Sequence, residues 1–290
     1  MFFAKAILLS AAAAAATAAP PATVRQVPVA PDVTLKVVEA GKGDAPTLVL
    51  IPGWSAGADI WREQIATFSA SRRVIALDPR SQGDSTKAGA GNTPEQRAQD
   101  LHALLAALRV RRPVLVGWSQ AAQDVAAYVT RYGADDLAGI VLVDAAVSDG
   151  AAGIAARPAA TATQFARFAI YTSDQEAYLR GMFGAIIGRP QPAGAIDQLV
   201  ATAMKTPPST GLAMLVADMF GIDRTPALGK MTCPVLIVAA GTSGELDRQE
   251  AELKAIPHAR FARIDDAAHA VFVDQPARFD AALADFLRGL

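Results

Sequence analysis

The stretch VLVGWSQAAQDVAAY, residues 114–128, changes character within a few positions. Apolar and β-branched residues run up to Gly117, and alanine-rich sequence of helical character begins just after Ser119. This order predicts a buried strand that turns into a helix through a very tight bend, with a serine on the bend. Strands that alternate with helices in this way are typical of parallel sheets covered by helices.

Ser119 on this bend is predicted to be a nucleophile. Gly117 and Ala121 are small, as the close approach of strand and helix requires, although Ala121 stands where the motif usually has glycine. The serine would lie at the carboxyl end of the strand, beside a helix N-terminus whose amides favour developing negative charge. A serine that only caps the helix is the alternative, but the strand-to-helix context favours the nucleophile.

Short apolar runs predict the rest of a mostly parallel sheet. The predicted strands are 22–30, 33–40, 47–51, 73–77, 113–117, 139–143, 234–238 and 259–264. Helical patterns occupy 58–69, 94–109, 120–132 and 245–255. Their alternation predicts an α/β fold in which an eight-stranded sheet carries helices on both faces.

The alternation stops between about Ala146 and Leu228, where helical stretches occur without a strand pattern. We expect a helical lid, residues 146–228, inserted after the sixth strand of one domain spanning 20–290, whose core is 20–145 and 229–290. Large apolar side chains of this insertion are expected to form the interior of the lid rather than a substrate wall: Phe165, Phe168, Tyr171, Met182, Phe183, Met214, Met219 and Phe220.

A serine nucleophile needs a base, and the chain has three histidines. His102 lies in a helical stretch, and His258 lies in the turn before the last strand. His269 follows the last strand, in a loop at the carboxyl edge of the sheet, where the bend that carries Ser119 also lies. His269 is therefore the predicted base.

Four motifs together resemble the α/β-hydrolase superfamily and, within it, the esterase, haloperoxidase and epoxide-hydrolase group. They are IPGW (51–54) followed by Trp61, LDPRSQGDS (77–85), GWSQA (117–121) and AAHAVFVDQP (267–276). The resemblance implies that the backbone N–H groups of Trp54 and Gln120 form an oxyanion hole. Relatives that attack epoxides or carbon–halogen bonds carry aspartate at the nucleophile position, so Ser119 argues against both reactions. Pro52 and Ser81 depart from the family's frequent histidine and glycine, and Ser81 bears on the shape of a turn.

The acid that would orient His269 has two possible origins. The family usually takes it from the loop after the seventh strand, but the matching position here is Ser243, with Glu245 and Asp247 slightly further on. A minority takes it from the end of the sixth strand, where this chain has Asp144. We favour Asp144, because it directly follows a buried strand, whereas the other two follow a flexible Gly-Thr-Ser-Gly run.

Composition bounds the partners of the protein. Of its 290 residues, 52% are hydrophobic and 19% are charged, which suffices for a substantial core, and the formal net charge is −1. Nothing in this balance favours nucleic acid as a partner. The single cysteine, Cys233, excludes an internal disulfide and a cysteine-based metal cluster. We expect no metal or organic cofactor, and the sequence leaves the oligomeric state open.

The first 19 residues are predicted to be a secretory signal peptide. They contain Lys5, an apolar stretch from Ala6 to Ala16 and small residues up to Ala19. An uncleaved anchor is the alternative, but the stretch is short of the roughly 20 residues that a spanning helix needs, and alanine inserts poorly. We therefore expect a periplasmic or secreted enzyme without stable membrane anchoring.

The predicted function is hydrolysis of carboxylic esters with small to medium acyl groups, through an acyl-enzyme on Ser119. The same residues could serve a cofactor-free perhydrolase, a lyase, or an amide or lactone hydrolase. A non-catalytic binding protein on this scaffold is the remaining alternative, supported only by the missing acid after the seventh strand.

Overall fold

The structure, a computed structural model, describes residues 21–290 and contains one eight-stranded sheet. The strands are β1 (Thr23–Ala30), β2 (Val33–Ala40), β3 (Leu48–Ile51), β4 (Val74–Leu77), β5 (Val114–Trp118), β6 (Gly139–Val143), β7 (Val235–Ala240) and β8 (Arg260–Ile264). Their order is β1-β2-β4-β3-β5-β6-β7-β8. Only the β1–β2 and β2–β4 pairs are antiparallel, so the predicted eight-stranded, mostly parallel sheet is confirmed. The signal peptide predicted for residues 1–19 lies outside the described residues.

Helices follow most of the strands. They are α1 (Arg62–Phe68), α2 (Pro94–Ala107), α3 (Ala121–Tyr132), α4 (Gly150–Ala156), α5 (Pro158–Ser173), α6 (Gln175–Ile186), α7 (Ala195–Ala203), α8 (Pro208–Phe220), α9 (Leu246–Ala255), α10 (Val271–Asp274) and α11 (Pro276–Arg288). Short 3-10 turns cover Ala58–Trp61 and Thr225–Lys230. Within residues 21–290, none of the helices combines the length and apolar character that crossing a bilayer requires.

Alternating side chains of the central strands fill two apolar layers. In β3, Leu48 and Leu50 belong to the layer that includes α1 and α11, whereas Val49 and Ile51 belong to the layer that includes α2 and α3. All five residues of β5 are buried, as are all five of β6. A strand covered on both faces must be apolar at consecutive positions, which explains the continuous apolar runs in the sequence.

Five helices, α4–α8, separate β6 from β7 and form what we call the helical segment, residues 150–220. It contacts the loops at the carboxyl edge of the sheet. The indole Nε1–H of Trp54 donates to the Gly211 carbonyl at 2.8 Å, and the Thr202 hydroxyl donates to Asp59 at 2.8 Å. The Gly188 N–H donates to Asp274 at 3.0 Å. The segment lies within the predicted insertion 146–228, and its role as a lid stays a prediction.

The apolar side chains predicted for the interior of the helical segment differ in burial, and Met182 and Phe220 are half-buried. Phe168, Tyr171, Phe183 and Met214 are buried, as expected for an interior. Phe165 and Met219 are 53% and 40% exposed, so the expectation that they lie in the interior was wrong. Phe165 instead stacks on Phe220 at 5.1 Å between ring centroids, a surface contact that helical periodicity does not reveal.

We predict that Phe183→Ala lowers the free energy of unfolding by about 3–5 kcal/mol, because it empties a fully buried site. Phe165→Ala, in the same helical segment, is the matched control and should change it by less than about 1 kcal/mol, since that ring is half exposed. Urea unfolding followed by circular dichroism measures both. Equal losses would contradict this division of the segment.

Candidate active site

Ser119 occupies a tight bend between β5 and α3. Its φ is 57°, in the left-handed region that non-glycine residues seldom adopt. The Ser119 N–H donates to the Val143 carbonyl at 3.1 Å, which ties the bend to the end of β6. A Cβ on Gly117 would lie 2.8 Å from the Ala121 carbonyl oxygen, so position 117 requires glycine. The local sequence therefore folds into the bend expected of a nucleophile elbow.

The three predicted residues form one hydrogen-bonded row at the carboxyl edge of the sheet. His269 Nε2 lies 2.8 Å from Ser119 Oγ, and His269 Nδ1 lies 2.8 Å from Asp144 Oδ2. The loops after β5, β6 and β8 supply one residue each. If the proton resides on Nδ1, where the carboxylate can accept it, Nε2 is left free to accept the proton of the serine. The distances suit proton transfer, and the catalytic roles stay predictions.

Hydrogen bonds to the sheet hold Asp144 next to Nδ1 of the His269 imidazole. Its φ is 46°, and its N–H donates to the Val238 carbonyl of β7 at 2.7 Å. Oδ1 accepts from the Ala240 N–H at 2.9 Å and from Gln249 Nε2 at 3.3 Å. The carboxylate is 2% exposed, whereas the His269 side chain is 31% exposed. One oxygen is thus anchored to the sheet, and the other faces the histidine.

In the described part of the chain, neither of the competing acids, Glu245 and Asp247, bonds to His269. Glu245 accepts from the Ala146 N–H at 3.1 Å and from Arg248 at 2.5 Å, and Asp247 lies in the first turn of α9. Among residues 21–290, only Asp144 provides a carboxylate partner for His269. Glu245 is fixed by these bonds, so the expectation that its loop leaves it loosely placed was wrong. What separates Glu245 from the site is the direction of its side chain.

The chain segment that follows Asp144 is held in place by the buried carboxyl group of Glu252. Glu252 Oε1 accepts from the Val147 N–H at 2.6 Å. Burial raises the pKa of Glu252 to about 8, above its usual value of 4.5. The contribution of this group to stability is therefore complete at low pH and is lost as the pH rises through about 8.

The backbone N–H groups of Trp54 and Gln120 are the predicted oxyanion donors. Among the described residues, no acceptor takes a hydrogen bond from the backbone N–H of Trp54 or of Gln120, which leaves both amides available. The loop that carries Trp54 approaches the elbow closely, since a Cβ on Gly53 would lie 2.9 Å from Ser119 Cβ. These two amides stay the predicted donors.

Gln82, which sequence analysis did not single out, holds the loop that carries Trp54. Its Nε2 donates to the carbonyls of Gly53 and Ala56 at 3.2 and 3.0 Å, and its Oε1 accepts from the Ser55 N–H at 2.9 Å. Gln82 lies in the LDPRSQGDS motif, and this motif is the feature of the sequence that could have indicated its role. Ser81, the departure in that motif, keeps the turn by adopting a φ of 65°.

Two further side chains position the loop of His269. The Trp118 indole Nε1–H donates to the His269 carbonyl at 2.9 Å. Asp274, fully buried, accepts from the N–H groups of Ala268 and Gly188 at 2.7 and 3.0 Å. Both residues lie in motifs that the sequence marks, but the Trp118–His269 and Gly188–Asp274 bonds join positions far apart along the chain. The other two histidines take no part: His102 stacks on Tyr132, and His258 occupies a turn with a φ of 58°.

The chain is similar to known proteins in both sequence and fold. A model of the alpha/beta hydrolase family matches residues 48–282, which is most of the chain. The bifunctional esterase/perhydrolase of Acinetobacter calcoaceticus is 37% identical over 106 residues, 36% of this chain and 38% of that protein. The pimeloyl-[acyl-carrier protein] methyl ester esterase of Edwardsiella ictaluri is 27% identical over 86% of this chain and 95% of that protein.

The matched stretch spans about two-fifths, 38% to 40%, of the length of several curated relatives, which include non-heme haloperoxidases. Solved structures share the fold. A bromoperoxidase from Bacillus anthracis superposes with a TM-score of 0.78 at 23% identity, over 92% of this chain and 100% of that one. An esterase from Rhodococcus sp. ECU1013 superposes with a TM-score of 0.77 at 24% identity, over 92% of this chain and 99% of that one.

We predict that Asp144→Asn lowers turnover by on the order of 10⁴ with the fold intact, since the amide no longer holds one histidine tautomer or stabilises an imidazolium. Glu245→Gln and Asp247→Asn are the matched controls and should stay within a few-fold of the parent. Steady-state kinetics, with circular dichroism to check folding, measures all three. A crippling Asp247 change beside a near-normal Asp144→Asn would move the acid to the loop after β7.

Proposed function

This chain belongs to the alpha/beta hydrolase family, and we propose that it hydrolyses carboxylic esters through an acyl-enzyme on Ser119. The observation that carries the proposal is the row of 2.8 Å contacts from Ser119 through His269 to Asp144. The esterase names of several relatives support the same reaction class.

In the acylation step, Ser119 Oγ attacks the ester carbonyl while His269 Nε2 takes its proton. Negative charge then develops on the carbonyl oxygen, and the backbone N–H groups of Trp54 and Gln120 would receive it. Asp144 stabilises the imidazolium during this step. The imidazolium next gives its proton to the departing alcohol, and the acyl group stays on Ser119.

In the deacylation step, water enters where the alcohol has left. His269 takes a proton from this water, the resulting hydroxide attacks the acyl carbonyl, and the same two amides receive the oxyanion. Collapse of this intermediate breaks the bond to Ser119 Oγ, to which His269 returns the proton. The cycle consumes one water and releases one acid and one alcohol.

Small to medium acyl groups are the proposed substrates. Aromatic side chains surround the oxyanion loop: the rings of Tyr171 and Tyr178 lie 4.9 and 6.1 Å from the Trp54 ring. Tyr171 is fully buried, and Trp54 is nearly so. The two tyrosine rings belong to the interior of the helical segment and not to a substrate wall. The proposed preference for an uncharged acyl chain of limited length rests on the aromatic, uncharged surroundings that they give the loop.

Perhydrolysis is a second candidate reaction, favoured by the likeness to the esterase/perhydrolase of Acinetobacter calcoaceticus. In that reaction hydrogen peroxide replaces water in the attack on the acyl-enzyme, and a peracid leaves. Both reactions use the same row of residues. An assay of peracid formation from a short carboxylic acid and hydrogen peroxide distinguishes them.

We predict that Ser119→Ala abolishes both ester turnover and covalent labelling by a fluorophosphonate probe, because the attacking oxygen is gone. Mass spectrometry of the labelled parent should locate the adduct on Ser119. Labelling that persisted on another serine would contradict the assignment, and a parent that took up no probe would favour a non-catalytic binding protein.

We predict that turnover in a series of p-nitrophenyl esters peaks at short to medium acyl chains. Esters with very long acyl chains should be hydrolysed more slowly, because such chains exceed the aromatic surroundings of Trp54. Esters with charged acyl groups should also be hydrolysed more slowly, because aromatic surroundings disfavour a charge. The kcat/KM of the purified protein across the series is the measurement. Faster hydrolysis of long-chain triglycerides than of short esters would contradict this substrate class.

A further inference from the structure

A buried cluster of charges joins the helical segment to the core. Arg97 of α2 donates from Nε to Asp124 of α3 at 2.9 and 3.1 Å, and from Nη2 to Asp218 of α8 at 2.6 Å. The three side chains are at most 5% exposed. A buried arginine between two carboxylates is strongly held, because losing either partner leaves a desolvated charge. The cluster thus fixes where α8 docks on α2 and α3.

The Gln120 side chain completes this cluster. The side-chain amide of Gln120 bonds to both neighbours in only one of its two orientations. In that orientation its oxygen accepts from Arg97 Nη2 at 2.7 Å, and its nitrogen donates to Asp218 Oδ2 at 3.3 Å. Gln120 follows Ser119 directly and is the N-cap residue of α3. Its side chain therefore lies among the charges, while its backbone N–H is one of the two proposed oxyanion donors.

The charges of the cluster do not balance when both carboxylates are ionised. Arg97 carries one positive charge against Asp124 and Asp218, and the nearby Arg224 is paired with Glu95 at 2.7 Å. No titratable side chain comes from α4, and Arg167 of α5 is exposed. Burial raises the pKa of Asp218 to about 7, with Asp124 raising it further and Arg97 opposing. The excess negative charge is thus relieved by a proton near neutral pH.

We propose that the Gln120 side chain, clamped by Arg97, positions the backbone N–H of Gln120 for the oxyanion, and that Asp218 makes this clamp depend on the docking of α8. Gln120 and Arg97 are then positioning residues, and the helical segment acts on the elbow through them. The inference rests on the proposed esterase function for its kinetic consequence, while its structural consequence can be measured without any substrate.

The first test uses Gln120→Met, which keeps the backbone N–H and the approximate length of the side chain but cannot accept from Arg97. We expect kcat to fall about tenfold, with KM within twofold of the parent, because the oxyanion is stabilised in the transition state and not in the bound substrate. Hydrogen exchange at residues 119–123 should quicken. The variant removes the bonds of Gln120 to Arg97 and Asp218, while Arg97 keeps both aspartates.

Gln123→Met is the matched control. Gln123 is a second buried glutamine of α3, bonded to the Ala146 carbonyl at 3.0 Å and the Ser148 N–H at 2.7 Å, and it does not touch Arg97. This change should lower stability with kcat within twofold of the parent. A parental kcat in Gln120→Met, or equal losses of kcat in the two variants, would overturn the positioning role.

The second test uses Asp218→Asn, which keeps an acceptor for Arg97 and removes the titration. A docked carboxyl whose pKa is raised favours docking at low pH, and the benefit is lost as the pH rises through about 7. Amide hydrogen exchange at residues 208–220, corrected for the intrinsic rate, should therefore become faster between pH 6 and pH 8 in the parent. In Asp218→Asn the corrected rate should not change over this pH range. Residues 119–123 should follow the same pattern.

Asp84→Asn is the control for this test, since Asp84 also joins the core to the helical segment, through an exposed pair with Lys205 at 2.6 Å. It should keep the parental pH dependence. Persistence of that dependence in Asp218→Asn, or its absence at residues 119–123 of the parent, would overturn the coupling. If the parent hydrolyses no ester, the proposed function fails. The hydrogen-exchange measurements then still decide whether the clamp on Gln120 exists.

Discussion

The left-handed backbone of Ser119 is the constraint on which the site depends. A non-glycine residue in this conformation costs about 1–3 kcal/mol and persists only where the surroundings impose it. Here a parallel neighbour imposes it, because the Ser119 N–H bonds to Val143 at the end of β6, while Gly117 lets α3 approach the strand. The bend exposes Oγ and places it beside the start of α3. A straighter chain would bury the oxygen in the sheet.

The residue after β6 repeats this arrangement. Asp144 also has a positive φ, and its N–H bonds to Val238 of β7 as the Ser119 N–H bonds to Val143. Two adjacent parallel strands therefore end in the same kind of turn, one carrying the serine and the other the carboxylate. His269 bridges them from the loop after β8. Rigid strand ends place Ser119 and Asp144 better than a loop could.

Sequence reasoning was sufficient where the signal is local. Short apolar runs predicted the central strands β3 to β7, because a strand covered on both faces must be apolar at consecutive positions, while β1 and β2 were predicted from β-strand patterns on either side of a turn. The bend at Ser119 was readable from neighbours two residues away on each side. His269 followed from its place after the last strand, since parallel strands end at one edge. The strands and the bend need only the chain within about ten residues, whereas His269 also needed the parallel topology of the whole sheet.

What only the tertiary structure decided depends on pairs that lie far apart along the chain. The structure shows which carboxylate contacts His269, that of Asp144, and the bond of Glu245 to Ala146 removes the looseness that the flexible run before Glu245 suggested. Arg97 and Asp218 are 121 residues apart, and the sequence around each of them does not indicate that the two form a pair. A sequence records which residues can form a hydrogen bond. Which partner each one meets is settled when the sheet and the helices fold around them.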